Sequence, residues 1–247
     1  MTQKEAVEQT LERLGGIATL AQLYKETFEI KECVWKTKTP FASIRQIVQL
    51  DKNIYKIKPG LYALKSHQKE LEGLGILVQT EKNKDSQEIQ QFNHSYYQGL
   101  LLTIGNMRKM QTFVPNQDKN KLYAKQKLGD IRTLQEIPNF SYDNIVQRIS
   151  TVDVIWFNQR NMPDSLFEVE HSTDIQNSLL KFNDLQDFYT RMVIVADEHR
   201  HEEYKKKLDY SSFENLKQKG RVKFLNYADL EKQYKQELEK QELSFVL

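Results

Sequence analysis

The chain has 247 residues, 39% hydrophobic and 28% charged, an ordinary globular composition that allows one large domain or two small ones. A formal net charge of +2 does not by itself identify the class of partner, and the single cysteine, Cys33, excludes an internal disulfide framework. The sequence contains no apolar run near the ~20 residues that cross a bilayer and no secretory apolar core at its start. We therefore expect no membrane segment and a cytoplasmic location.

Residues 1–67 predict three helices followed by a hairpin. Thr2 can cap a helix over about 3–14, and a second short helix is expected over about 19–27. Pro40 suits the first turn of a third helix, Pro40–Leu50. A turn at Pro59-Gly60 then joins two short apolar strands. This order is the layout of a winged helix-turn-helix, and we assign residues 1–67 to such a domain.

In that layout the third helix enters the major groove of DNA. The side chains that would contact DNA are of the types that read base edges and grip phosphates. They are Lys36, Lys38, Thr39, Ser43, Arg45 and Gln46. The alternative is that the helix only packs, or mediates a protein contact. The segment resembles the HARE-type winged helix found at the ends of some restriction endonucleases and chromatin proteins.

Residues 68–92 are dominated by Lys, Glu and Gln and predict a linker that can be partly helical. A helix over about 95–110 and a strand over 111–115 follow. The next loop carries Lys119, Lys121, Lys125 and Lys127. Such a loop is either a solvated surface or a clamp on DNA, and we regard Lys119 and Lys121 as candidate DNA contacts.

The segment 151–174 predicts a β-hairpin that carries three carboxylates. If the loop centres near residues 160 and 161, Asp153 lies opposite Glu168. Alternation along the strand puts Glu170 on the same face as Glu168. Three carboxylates on a mostly apolar hairpin repel each other and resist burial, and a hard cation such as Mg²⁺ would relieve both problems. Strand acids that are paired with Lys or Arg are the structural alternative.

Behind this hairpin, helices and strands alternate. Asp174 is expected to cap a helix that ends near Phe188, followed by a buried strand, Arg191–Ala196. A charged helix over 199–219, a strand over 222–227 and a final helix over about 230–243 complete the chain. This alternation predicts an α/β sandwich around a mixed sheet over residues 93–247.

The carboxylate hairpin followed by helix, strand, helix and strand resembles the PD-(D/E)XK nucleases, the restriction-endonuclease-like fold. Asp153 matches the first acid of that pattern and Glu168 the first position of its acid-x-Lys triplet, whereas Glu170 stands where lysine is usual. The string FEVEHST also resembles a group of predicted type II restriction endonucleases. The resemblance implies an α/β/α sandwich and a Mg²⁺-dependent endonuclease for double-stranded DNA, with Mn²⁺ as an alternative metal. It also implies either a homodimer or sequential nicking by a monomer, and a cognate methyltransferase as a partner.

The resemblance further implies roles for individual residues. Asp153, Glu168 and the carbonyl of Val169 would hold the metal, and Glu170 would act as general base or as a second metal ligand. Gln98, with His94 beside it, would approach the site from the preceding helix. Lys181 would either supply the cation that position 170 lacks or be a solvated surface lysine. Ser172 and Thr173 are expected to begin the following helix, with contact to a phosphate as the alternative. Two alternatives are a nuclease fold that has lost catalysis and kept DNA binding or regulation, and a transcription regulator whose C-terminal domain senses a ligand.

Overall fold

Two compact units make up the chain. The computed structural model describes residues 1–171 and 174–246, with side chains up to residue 241. One unit contains residues 1–92 together with the chain from Tyr234 onward, and the other contains Asn93–Gln233. No helix among the described residues is long and apolar enough to cross a membrane.

The first unit has helices and strands in the order predicted, with one short strand added. Its elements are α1 (Gln3–Arg13), β1 (Ile17–Thr19), α2 (Leu20–Glu26), α3 (Pro40–Leu50), β2 (Ile54–Lys58), β3 (Leu61–Leu64) and α4 (Gln68–Gly73). The three strands form an antiparallel sheet in the order β1-β3-β2. The expected Thr2 cap is present as a complete capping box with Glu5, and Pro40 occupies the first turn of α3.

The second unit contains the predicted alternation of helices and strands. Its elements are α5 (Gln87–Met107, which begins in the first unit), β4 (Gln111–Phe113), β5 (Leu122–Tyr123), β6 (Gln126–Lys127), α6 (Leu128–Ile131), α7 (Asp143–Ile149), β7 (Val154–Phe157), β8 (Pro163–Glu170), α8 (Ile175–Asp184), β9 (Arg191–Ala196), α9 (His201–Leu208), α10 (Glu214–Lys219), β10 (Val222–Asn226) and α11 (Tyr227–Val246, which ends in the first unit).

A mixed five-stranded sheet in the order β10-β9-β8-β7-β4 forms the centre of this unit. The pairs β10–β9 and β9–β8 are parallel, and the pairs β8–β7 and β7–β4 are antiparallel. One face of the sheet packs against α8 through residues such as Leu166, Ile194 and Leu179. On the other face the indole of Trp156 donates a hydrogen bond to the carbonyl of Leu101 in α5. The predicted α/β class with a mixed sheet is therefore confirmed.

One sequence expectation differs from the structure, and the structure adds detail to another. The expected helix over 199–219 is broken into the short helices α9 and α10 with two 3₁₀ turns, because Tyr210 has extended backbone angles and interrupts the helix. The segment expected to be a linker contains α4 and the start of α5, and its apolar residues Leu71, Ile76 and Ile89 are buried. Burial of these side chains gives order to a segment whose overall composition is polar.

Candidate active site

The β7–β8 hairpin brings the carboxylates together in the predicted register. Val154 pairs with Phe167 and Ile155 with Leu166, so one further step along the ladder places Asp153 opposite Glu168. The loop is shorter than expected because β8 begins at Pro163. Asn161 turns the chain with a φ of 59°, a conformation that asparagine tolerates better than most residues.

Asp153 lies immediately before β7 and is held there by two neighbouring groups. Its Oδ2 accepts a hydrogen bond from the backbone N–H of Val169 at 2.8 Å and lies 3.3 Å from Nε2 of His94. Burial by itself would raise the pKa of this carboxyl, but the His94 contact, the Val169 N–H and the charge of Lys181 together lower the pKa below its ordinary value. Asp153 is therefore maintained as an anion.

Glu168 points from β8 toward α8, and its side chain is only 3% exposed. Nζ of Lys181 lies 2.9 Å from each of its carboxylate oxygens and also donates to the carbonyl of Thr151 at 3.0 Å. Burial and the nearby charge of Asp153 raise the pKa of Glu168 well above its ordinary value, against the lowering effect of Lys181. Lys181 thus offsets only part of the cost of the buried charge.

Glu170 is joined to Glu168 through Ser178. The Ser178 hydroxyl contacts Oε2 of Glu168 at 3.1 Å and, more closely, Oε1 of Glu170. Ser178 and Lys181 are three residues apart on α8 and so face the same strand. Ser178 was not predicted from the sequence, because a serine in an amphipathic helix cannot be assigned to a site until the strand that it faces is known.

Two further residues near Glu170 were also missed. Tyr227, at the start of α11, donates its hydroxyl to the backbone carbonyl of Glu170 at 3.4 Å. Nη1 of Arg200 lies 4.0 Å from Oε2 of Glu170. Arg200 follows β9, which pairs with β8, and Tyr227 follows β10, which pairs with β9. The parallel pairing that brings both residues here cannot be read from local sequence.

Gln98 links the hairpin to the lysine-containing loop. Its fully buried amide donates to Oδ2 of Asp118 at 2.7 Å and to the backbone carbonyl of Asp153 at 3.2 Å. Asp118 in turn pairs with Lys121 at 2.7 Å. Through its amide nitrogen, Gln98 therefore fixes the backbone that carries Asp153.

The structure thus brings together all five residues predicted to act in catalysis. They are Asp153, Glu168, Glu170, Gln98 and Lys181. Ser172 and Thr173, expected to begin the following helix, lie outside the described residues, while the cap by Asp174 is present and accepts from the N–H of Gln176 at 3.0 Å.

The predicted DNA contacts of the first unit lie at and before α3. Lys36, Lys38, Thr39 and Gln46 are exposed and Ser43 is partly buried. Arg45 differs, because its guanidinium donates to the hydroxyl of Tyr24 at 3.0 Å and is held against the protein. In the second unit Lys119 and Lys121 are exposed around the β5–β6 hairpin, whose turn places Ala124 at a φ of 54°.

The donor chemistry of the carboxylate cluster fits a hard divalent cation. The Asp153 and Glu168 carboxylates and the Val169 carbonyl are oxygen ligands of the kind that Mg²⁺ prefers. Burial, and then the charge of Asp153, raise the pKa of Glu168, and a bound cation would oppose both effects. In the residues that the structure describes, no three His, Cys, Asp or Glu side chains are arranged as a metal-binding group. Metal binding would therefore exchange some contacts of Glu168 with Lys181 and Ser178 for metal contacts.

Comparison with known proteins agrees with this geometry. Residues 76–246 match the family described as the type II restriction enzyme NmeDI C-terminal domain. The chain belongs to this family. It is also 28% identical over 151 residues to the type II restriction enzyme NmeDI of Neisseria meningitidis serogroup C, an alignment that covers 57% of this chain and 42% of that protein. The chain thus matches less than half the length of this relative. No solved structure matches the chain significantly.

Membership of this family makes the chain a type II restriction endonuclease-like protein. The matched region, 76–246, includes the whole β7–β8 hairpin, α8 and the strand pair β9–β10. The carboxylates, Ser178, Lys181, Arg200 and Gln98 all fall within it, whereas the exposed residues before and on α3 do not.

Proposed function

We propose that this chain is a divalent-metal-dependent endonuclease of restriction type that hydrolyses phosphodiester bonds in double-stranded DNA. The observation that carries the proposal is the geometry at the end of the hairpin, in a chain of the NmeDI family. Glu168 and Glu170 are buried and both contact the Ser178 hydroxyl, Lys181 contacts Glu168, and the partly buried Asp153 accepts a hydrogen bond from the N–H of Val169. A surface ion-pair network would not bury two carboxylates, Glu168 and Glu170, against the same serine hydroxyl.

Asp153, Glu168 and the carbonyl of Val169 would hold Mg²⁺, or Mn²⁺ as an alternative. When bound, the metal would neutralise charge on the phosphate and polarise it for attack. Glu170 would accept a proton from the attacking water as the water oxygen bonds to phosphorus and the bond to the leaving oxygen breaks. Lys181 would place positive charge beside Glu168, where the negative charge of the reacting phosphate increases.

The fold supports assigning this site to a restriction-endonuclease-like domain, the PD-(D/E)XK class, over residues 93–247. The order of elements supports this assignment. Asp153 ends the loop before β7, the triplet Glu168-Val169-Glu170 ends β8, and α8 packs against the face of the sheet that carries Glu168. The departure from the class pattern is at Glu170, and Lys181 from α8 supplies a cation in the same region.

For residues 1–67 we propose a winged helix that binds DNA. The order α1, β1, α2, α3, β2, β3 and the sheet order β1-β3-β2 support this assignment. Lys36, Lys38, Thr39, Ser43 and Gln46 would contact DNA, and Lys119 and Lys121 of the β5–β6 hairpin would contact the phosphate backbone. Residues 68–92 would connect this domain to the nuclease domain. Cutting both strands would use a homodimer or two successive nicks, and a cognate methyltransferase would protect the host DNA.

Cleavage of plasmid and phage DNA tests the proposal. Wild type should cleave with Mg²⁺ and stop cleaving with EDTA, and Asp153→Ala should be inactive. Asp164→Ala is a matched control, because Asp164 lies on the same hairpin but pairs with Arg191 at the far end of β8. Equal activity in wild type and Asp153→Ala would refute the site.

A nuclease fold that binds DNA without cutting it is the alternative function. The observation that favours it is Glu170 at the position where the class has lysine. In that case wild type would bind duplex DNA through Lys38 and its neighbours while the plasmid stays intact with Mg²⁺ or Mn²⁺.

A further inference from the structure

Arg200 is a buried cation directed at Glu170. Its side chain is 8% exposed and that of Glu170 6%, and Nη1 lies 4.0 Å from Oε2 of the glutamate. At this burial, water screens the attraction only weakly, so a pair at 4.0 Å still interacts strongly. Removing a guanidinium from water is expensive unless carboxylates surround it.

A second carboxylate fixes the orientation of this guanidinium. Nε and Nη2 of Arg200 each donate to one oxygen of Glu203 at 3.0 Å, which is a two-point contact. Such a fork leaves the planar group little rotational freedom, and its third nitrogen, Nη1, points toward Glu170. An arginine whose only role was to pair with Glu203 near the surface would not need to bury its charge beside the active site.

The sheet topology explains why Arg200 reaches this position. Glu170 pairs with Ala196 in the parallel β8–β9 ladder, and both strands end there at the same edge of the sheet. Asp197 caps the 3₁₀ turn of residues 198–200 by accepting from the N–H of His199. That turn brings Arg200 back toward the end of β8.

We propose that Arg200 is a positioning residue for the nuclease reaction, which acts by holding the carboxylate of Glu170 toward the reacting phosphate. The inference rests on the proposed function. It explains how this chain uses glutamate at position 170: Lys181 supplies positive charge at Glu168, Arg200 supplies it at Glu170, and Ser178 connects the two carboxylates. The contacts that the described residues give Glu203 are those with Arg200, so we expect Glu203 to act through Arg200.

The test compares single-turnover cleavage of plasmid DNA with DNA affinity measured in EDTA. Arg200→Gln should lower the cleavage rate at least about 10-fold, which is part of the roughly 100- to 10,000-fold that a general base contributes, while changing affinity less than about 2-fold. Arg200→Lys should retain an intermediate rate, and Glu203→Gln a smaller loss. Arg191→Gln is the matched control, since Arg191 pairs with Asp164 at the other end of the sheet.

A double-variant cycle separates positioning from general structural damage. If Arg200 acts through Glu170, Arg200→Gln should lower the rate much less in a Glu170→Asp background than in wild type. Thermal unfolding of every variant shows whether it is folded, and Arg200→Lys carries the test if Arg200→Gln does not fold. The inference would be overturned if Arg200→Gln lowered the rate by the same factor in the Glu170→Asp background as in wild type. It would also be overturned if Arg200→Gln and Arg191→Gln lowered the rate equally. An inactive wild type would refute the proposed function instead.

Discussion

The ammonium group of Lys181 lies 2.9 Å from both carboxylate oxygens of Glu168. The lysine comes from the helix after the hairpin, and it also donates to the carbonyl of Thr151, just before β7. It therefore connects both strands of the hairpin to α8 at the point where the carboxylates meet. This contact accounts for how a chain with glutamate at position 170 still places a lysine in the cluster.

Replacing Lys181 tests whether this contact serves the reaction. We expect Lys181→Met to lower the single-turnover cleavage rate about 100-fold or more, as removal of one group that stabilises transition-state charge usually does. Lys181→Arg should retain part of the rate. Lys205→Met is the control, because Lys205 forms an exposed pair with Glu202 on α9. If both lysine variants cleave like wild type, Lys181 has only a structural role.

Glu168 should reduce the stability of the metal-free protein at neutral pH. Because its pKa is raised in the folded state, the stability it contributes is present below the ordinary glutamate value of 4.5 and is lost as pH rises through the folded-state pKa. Glu168→Gln removes this dependence. The melting temperature of Glu168→Gln should therefore exceed that of wild type at pH 8, and the difference should shrink toward pH 4.

Glu202→Gln is the control for this measurement, because the pKa of Glu202 is shifted in the opposite direction to that of Glu168. The hydrogen bond from Lys205 lowers the pKa of Glu202, so its contribution is present above pH 4.5 and is lost as pH falls. Its substitution should not raise the melting temperature at pH 8. A Glu168→Gln protein that is less stable than wild type at pH 8 would show that Lys181 fully compensates the buried charge.

Gln98 should matter for both stability and cleavage. Gln98→Ala leaves the buried carboxylate of Asp118 without its amide donor, which costs about 1–3 kcal/mol of unfolding free energy, and it releases the backbone at Asp153. Urea unfolding and cleavage assays measure the two effects. Gln87→Ala, at an exposed position of the same helix, should change neither. A stable Gln98→Ala variant that cleaves normally would contradict this role.

Much of the site could be predicted from the sequence, because the features that define it depend on residues that are close together in the chain. The spacing from Asp153 to Glu168 and Glu170, the turn at Asn161 and the cap at Asp174 all depend on neighbouring residues. Ser178, Tyr227 and Arg200 could not be found in this way. They reach Glu170 only because α8 folds back over the sheet and because β9 and β10 run parallel to β8 in the same sheet.

DNA binding by the first unit should depend on exposed lysines. Lys38→Ala should weaken duplex binding. It should also make the slope of log affinity against log salt concentration less steep, by the amount that corresponds to the loss of about one phosphate contact. The same measurement on Lys25→Ala, whose lysine is exposed on α2, should give the wild-type slope. An unchanged slope in Lys38→Ala would assign DNA binding to another part of the chain.

Arg45 is predicted to behave differently from Lys38. Its guanidinium donates to the hydroxyl of Tyr24, so Arg45→Ala should destabilise the unit as well as weaken binding. Tyr24→Phe removes the same hydrogen bond and leaves the charge in place. If Arg45 also contacts DNA, Arg45→Ala will reduce the salt slope and Tyr24→Phe will not; equal slopes in the two variants would limit Arg45 to a structural role.

The central claim is that Asp153 and Glu168 form a metal-dependent nuclease centre, and direct titration with Mn²⁺ tests it most closely. We predict saturable binding to wild type, loss of that binding in Asp153→Asn, and wild-type binding in Asp164→Asn, whose carboxylate pairs with Arg191. Binding to wild type and to Asp153→Asn with the same affinity, or no saturable binding to wild type, would contradict the account.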